Sequence, residues 1–282
     1  MKEIMTNQKL LKMKSSIQSI HHAVQLIAFF SNSYLPHESD DSHTNFKWNP
    51  IEDRFMSQTV NMPGAPNISI DCNNLKVYFN LHDKEAYQID LSKIKRKEEL
   101  NEQINIGLNA INLDLSKYKE ELHYELPSYI DLDTTDFKID KASASHFAYL
   151  QNKAYEIIGI FQKQYESASS LKIWPHHFDH STDIPFKNSD GEIDKIISIG
   201  LGIPDQYVDE PYFYVSHWLQ EGRTQISETE KLPFGKWHSD GWLAAVFPHA
   251  ELHTLEQENH IEVLYDFFAQ AIAQSKRLIS AS

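Results

Sequence analysis

Leu10, Met13, Ile17, Ile20, Val24 and Ile27 recur at alternating spacings of three and four residues, which lays them on one face of a helix running to about Phe30. A polar loop follows from Pro36 to Asn45. Beyond it Ile68, Ile70 and Cys72 alternate with other residues, Asn73-Asn74 offers a two-residue turn tolerant of positive φ, and Leu75, Val77, Phe79 and Leu81 alternate again. That turn pairs Cys72 with Leu75, Ile70 with Val77 and Ile68 with Phe79. Both apolar sets then fall on one side of a hairpin, as burial against a helix requires. Tyr87, Ile89 and Leu91 supply a third strand, and Ser92 is placed to cap a second helix whose stripe is Leu100, Ile104, Leu108, Ile111 and Leu115.

The second half opens in a similar way. After an acidic connection from Asp131 to Asp140, Phe147, Leu150, Ala154, Ile157, Phe161 and Tyr165 share one face of a long helix ending near Ser169-Ser170. Strand-like runs follow at Lys172 to Phe178, Lys195 to Leu201, Tyr212 to Trp218 and Trp242 to Phe247. A closing helix carries Ile261, Leu264, Phe268 and Ile272. The pattern predicts an α+β fold with antiparallel sheets packed against long helices. It divides either into two related helix-strands-helix halves, 1–135 and 136–282, or forms one continuous domain.

Composition narrows the partners. With 40 acidic against 26 basic residues the formal charge is −14, which repels a phosphate backbone and an anionic membrane alike. The longest apolar run, Ala23 to Phe30 interrupted by Gln25, is too short to span a bilayer, and Met1-Lys2-Glu3-Ile4 lacks a charged-then-apolar leader pattern. A cytoplasmic location is expected. The single cysteine, Cys72, excludes an internal disulfide and, lying in an alternating run, reads as a small buried hydrophobe. Gly200-Leu201-Gly202 lacks the third glycine and helix start of a dinucleotide loop, so no nucleotide cofactor is indicated. Lys93, Lys95, Arg96 and Lys97 read as a solvated face.

Chemistry concentrates late in the chain: eight of the 15 histidines and four of the five tryptophans fall between Trp174 and His260. Two runs, Pro175-His176-His177-Phe178-Asp179 and Glu210-Pro211-Tyr212-Phe213-Tyr214, resemble those of an uncharacterised bacterial family, a domain of unknown function with a Trp-His-Ser-Phe-Asp-like run and a Glu-Pro-x-Phe-Tyr run. Pro175 stands where that family carries tryptophan. Lys236-Trp237-His238-Ser239-Asp240-Gly241-Trp242 is a further departure. The resemblance implies a related architecture and His176, Asp179, Glu210 and Tyr214 as shared features, without a role for any of them.

On a strand, His176 and His180 lie roughly 13 Å apart, too far for one ion, whereas His177 and Asp179 share a face at about 6.6 Å and could share a divalent metal. Phe178 then points inward. Glu210 with Tyr214 or His217 is a candidate cavity lining, and His238, in a turn between tryptophans, a candidate at its mouth. His-Ser-Asp at 238–240 is not a triad, because adjacent residues cannot take those three positions. His249 and His253 can share a helical face but have no evident third ligand.

Two functional readings follow. One is a small-molecule site in the C-terminal half, with a metal-dependent hydrolase as its enzymatic form, since histidine and carboxylate ligands with an open position suit hydrolysis. The other is an interaction module, with aromatics between Tyr207 and Trp242 packing on a protein partner or a second copy.

Overall fold

The first apolar stripe forms α1 (Asn7–Tyr34), in which Met13, Ile17, Ile20, Val24 and Ile27 are buried. The computed structural model describes residues 6–220 and 231–280, so Met1-Lys2-Glu3-Ile4, read above for a leader, lies outside the described residues. Five antiparallel strands follow: β1 (Lys47–Asn49), β2 (Arg54–Met56), β3 (Asn67–Asp71), β4 (Lys76–Leu81) and β5 (Lys84–Asp90), in the order β1-β2-β3-β4-β5. The register places Ile68 against Phe79 and Ile70 against Val77, as the alternation predicts. The turn itself differs. Asp71 Oδ1 accepts the amides of Asn73 and Asn74 at 2.7 and 3.1 Å, and the left-handed φ of 49° falls on Leu75. An Asx turn has displaced the two-residue loop.

The second helix, α2 (Lys97–Ala110), starts five residues beyond Ser92, because Asp90 captures Ser92 in a one-turn 3-10 helix of its own. Leu100, Ile104, Leu108 and Ile111 are buried as predicted, but Leu115 lies past the helix end and is exposed. Leu26 and Phe30 of α1, Ile68, Val77 and Phe79 of the sheet, and Ile104 and Leu108 of α2 face one small internal gap, which identifies the layers of this core.

The chain divides into two compact units, one formed by residues 8–149 with 172–178, the other mainly by 150–171 and 179–282. The helix α3 (Lys141–Gln164) supplies its beginning to the former and its remainder to the latter. The N-terminal unit is completed by β6 (Lys172–Ile173), where Phe46 and Ile173 exchange backbone hydrogen bonds at 3.2 and 2.9 Å.

Here the predicted strand from Lys172 to Phe178 fails. After Ile173 the chain turns: the Phe178 amide donates to the Trp174 carbonyl at 2.7 Å and Phe178 adopts φ 54°. The cause is tertiary. The Pro175 carbonyl accepts hydrogen bonds from His21 Nε2 (2.6 Å) and Gln25 Nε2 (2.9 Å), and Phe178 is fully buried with its ring stacked on His21. Long-range bonds thus hold a conformation that a phenylalanine does not favour by itself.

The C-terminal unit contains β7 (His180–Lys187), β8 (Ile193–Gly202), β9 (Tyr212–Leu219), β10 (Lys236–His238), β11 (Ala244–Pro248), the short α4 (His249–His253) and α5 (His260–Ser280). Strands β7 and β10 were not anticipated. Neighbours run β10-β11-β9-β8-β7, so this sheet does not repeat the sequential order of the first. Ile197, Ile199, Leu201, Phe213, Val215 and Phe247 are buried on one face, where Phe213 meets Phe268 and Phe247 meets Phe267 of α5. The fold is therefore α+β, with five α-helices and two antiparallel sheets among the described residues. None of these helices is long and apolar enough to cross a membrane.

Candidate functional site

Strand alternation sends Tyr212, Tyr214, Ser216 and Trp218 to the face opposite Phe213 and α5. Across the register Gly202 faces Tyr212 and Gly200 faces Tyr214. The absence of side chains on β8 is what lets the two rings lie flat over it: a Cβ on either glycine would sit 2.7 Å from the tyrosine ring. Each hydroxyl then reaches a carboxylate. Tyr214 donates to Asp179 Oδ2 at 2.7 Å and Tyr212 to Asp205 Oδ2 at 2.6 Å, while Ser198 donates to Asp183 Oδ1 at 2.7 Å. Burial, and then the charge of Asp179, pushes the Tyr214 hydroxyl well above its ordinary range, so it remains a donor at all physiological pH.

Trp242 is the hub of the aromatic part. Its ring lies 5.7 Å from Tyr214, 6.1 Å from Tyr212, 5.6 Å from Tyr207 and 6.3 Å from His238. His238 packs edge-on against Tyr207 at 5.5 Å and donates through Nε2 to the Asp240 carbonyl. Comparison with protein-family models, curated proteins and solved structures gave no match. The chemistry of this face is therefore read from its own groups: three carboxylates holding hydroxyl donors, beside a wall of partly exposed rings. Asp205 is held further, its Oδ1 accepting the Tyr207 and Val208 amides at 2.7 and 2.9 Å.

The predicted residues divide. Asp179, Tyr214 and His238 belong to this cluster. Glu210 does not: its Oε2 accepts the Ala250 amide at 2.6 Å and lies 3.9 Å from His249 Nδ1, which makes it an anchor for the start of α4, and burial raises its pKa. His217 shares the α5-facing side with Phe213 and is half-buried, which lowers its pKa. His176 and His177 sit in the turn of the N-terminal unit. His176 packs on Tyr124 and Trp174, and its pKa is lowered to about 4 by burial and then by His177, whereas His177 is exposed. With no strand at 174–178, the alternation that paired His177 with Asp179 for a metal no longer applies. His249 and His253 stack at 5.7 Å on α4.

Asp205, Tyr212 and Trp242 were missed as site residues. A signal existed: two tyrosines two apart and two glycines two apart, in consecutive strands, are what a large-on-small register needs. In the N-terminal unit, Lys95 and Arg96 are exposed as expected, yet with Lys97, Lys76, Lys138 and Lys141 they line a cavity of about 1050 Å³. These six cations share the cavity lining with Asp90, Glu98, Asp133 and Asp136, and Lys97 and Lys138 are paired with Glu120 and Asp136.

Gly200→Ala should lower the unfolding free energy by about 1–3 kcal/mol, since Tyr214 must leave its place over β8. Gly159→Ala, in α3 with nothing within 4 Å of the new Cβ, should instead raise it by about 0.5–1 kcal/mol. Denaturant titration of the two variants checks the contrast.

Proposed function

We propose that the protein is a cytoplasmic small-molecule-binding protein whose C-terminal unit takes a ligand presenting hydroxyl or ammonium donors together with a flat apolar face. The observation that carries this reading is the hydrogen bond from Tyr214 to Asp179, set beside Trp242, Tyr207 and His238. It joins the two runs on which the family resemblance rests. Carboxylates receive donors and repel anions, while indole and phenol rings stack on the C–H face of a sugar or on a cation. Burying the Tyr212 and Tyr214 hydroxyls against carboxylates costs desolvation that an apolar core avoids, which favours a role in recognition.

Thermal-shift titration with a series of methyl glycosides and a series of alkylamines tests the reading. Saturable stabilisation by one series, weakened tenfold or more in Asp179→Asn and less in Tyr214→Phe, is the expected result. No saturable effect from either series, or one unchanged in Asp179→Asn, rejects it. A protein-binding role has narrower support, from Trp218, half-exposed on the same face, and Tyr207.

A further inference from the structure

The loop Pro36 to Asn45 gathers donors of a different kind. It hooks back on itself: the Asp41 amide donates to the Glu38 carbonyl, Asp41 takes φ 58°, and a one-turn 3-10 helix spans Ser42–Thr44. This brings His37, Asp41 and His43 together, with one donor atom from each within 4.8 Å of the others. His123, from a distant segment of the same unit, joins them: its Nδ1 is 3.2 Å from Asp41 Oδ1, and its ring is 5.1 Å from that of His37. His37 and His43 have ring centroids 4.9 Å apart.

We propose that His37, Asp41, His43 and His123 form a zinc site in the N-terminal unit, with a structural role. Three donors no more than 4.8 Å apart lie within about 2.8 Å of a common centre, some 0.7 Å beyond the 2.0–2.1 Å zinc bond to nitrogen or oxygen, so small side-chain adjustments close the cluster on an ion. The donor set fits. His123, against Asp41 and the His37 ring but outside that 4.8 Å group, would swing in as the fourth donor, and three imidazoles with one carboxylate then give the closed arrangement of structural sites.

The supporting shell is present as well. Buried His43 has its Nε2 at 3.1 Å from Asn32 Oδ1, and an amide oxygen can only accept, so Nε2 carries the proton. Nδ1 is then the lone-pair nitrogen, engaged by the Glu38 amide at a long 3.3 Å. A ligating histidine held by its other N–H to an oxygen acceptor is the arrangement that fixes tautomer and ring direction at metal sites. An ion here would clamp the loop from α1 to the segment carrying His123, which the polypeptide otherwise joins by side-chain hydrogen bonds.

The test uses the full chain, freed of any affinity tag and stripped with a chelator, titrated with Zn²⁺ by calorimetry. One equivalent bound and a raised melting temperature are expected. His37→Gln and His123→Gln, at exposed positions, should each weaken binding tenfold or more, and Asn32→Ala, which leaves every donor in place, by about 10-fold. Co²⁺ in place of zinc should give the intense visible bands of tetrahedral coordination, lost in the His37→Gln/His123→Gln double variant. Absence of stoichiometric uptake overturns the proposal. So does uptake unaffected by both single variants, or lost only in His253→Gln, whose ring lies in the other unit.

Discussion

Phe178→Ala is expected to destabilise the protein by about 3–5 kcal/mol, the cost of deleting a fully buried aromatic side chain. Phe178 is enclosed by rings: His21 at 4.8 Å and nearly parallel, Phe55 at 5.1 Å, Phe147 at 5.7 Å and Phe46 at 6.2 Å. No single neighbour can collapse into the space without abandoning the others, so most of the cavity persists. The backbone adds a diagnostic. At φ 54° a Cβ is penalised, so Phe178→Gly loses the same ring but relieves roughly 1 kcal/mol of strain. Glycine should therefore be the less damaging truncation, the reverse of the order in regular structure. Guanidinium titration of both variants measures it. An alanine variant more stable than the glycine variant would show that the left-handed turn is not retained, and a loss under 1 kcal/mol in both would show that the ring is not a core element.

The same turn marks where sequence pattern stops being informative. Residues 172–178 have the composition of a strand, and local preference predicts one. What bends them is a pair of donors, His21 and Gln25, about 150 positions earlier, and a ring pocket built from α1, β2 and α3. No window of the sequence contains that information. By contrast the hairpin register of Ile68 and Ile70 with Phe79 and Val77 was legible, because one buried face admits only one phase. The helical stripes were legible for the same reason in their interiors but not at their ends, since Leu115 lies beyond α2 and Tyr165 beyond α3, which stops at Gln164 and not near Ser169-Ser170.

The candidate site divides along this line too. Tyr214 and Asp179 could be nominated singly, but their contact depends on Gly200 lying across the register, and Asp205 reaches Tyr212 from a loop with no periodicity to expose it. The zinc-type cluster is harder still. Three of its donors fall within seven residues of a loop that reads only as polar, and the fourth comes from His123, some 80 positions on.

Acidification from pH 7 to pH 5 is expected to weaken both units, each chiefly through one fully buried histidine. In the N-terminal unit His21 has its pKa lowered from 6.5 to about 3, with burial as the main cause, opposed by its bond to the Pro175 carbonyl. In the C-terminal unit burial brings His180, hydrogen-bonded to Gln151 at 2.9 Å, to about 3 as well. The folded state binds fewer protons than the unfolded chain at these positions. Stability is therefore constant above about pH 6.5, falls as the pH drops below it, and levels only near pH 3, once the folded form also protonates. At pH 5 the loss is about 2 kcal/mol for each of the two. His176, lowered to about 4 and half-buried, acts in the same direction with a smaller share. The carboxylates lowered by serine hydrogen bonds, such as Asp140 and Asp90, work in a different window: their contribution is complete above the ordinary carboxylate range and is lost only as the pH falls through it. Loss of stability between pH 6.5 and 5 thus belongs to the histidines. His180→Gln, which keeps a hydrogen-bonding side chain toward Gln151 and removes the titration, should flatten the pH dependence of the unfolding free energy by about half over that interval. A wild-type stability that does not change between pH 7 and pH 5 would mean that burial does not hold these two imidazoles neutral in the folded state.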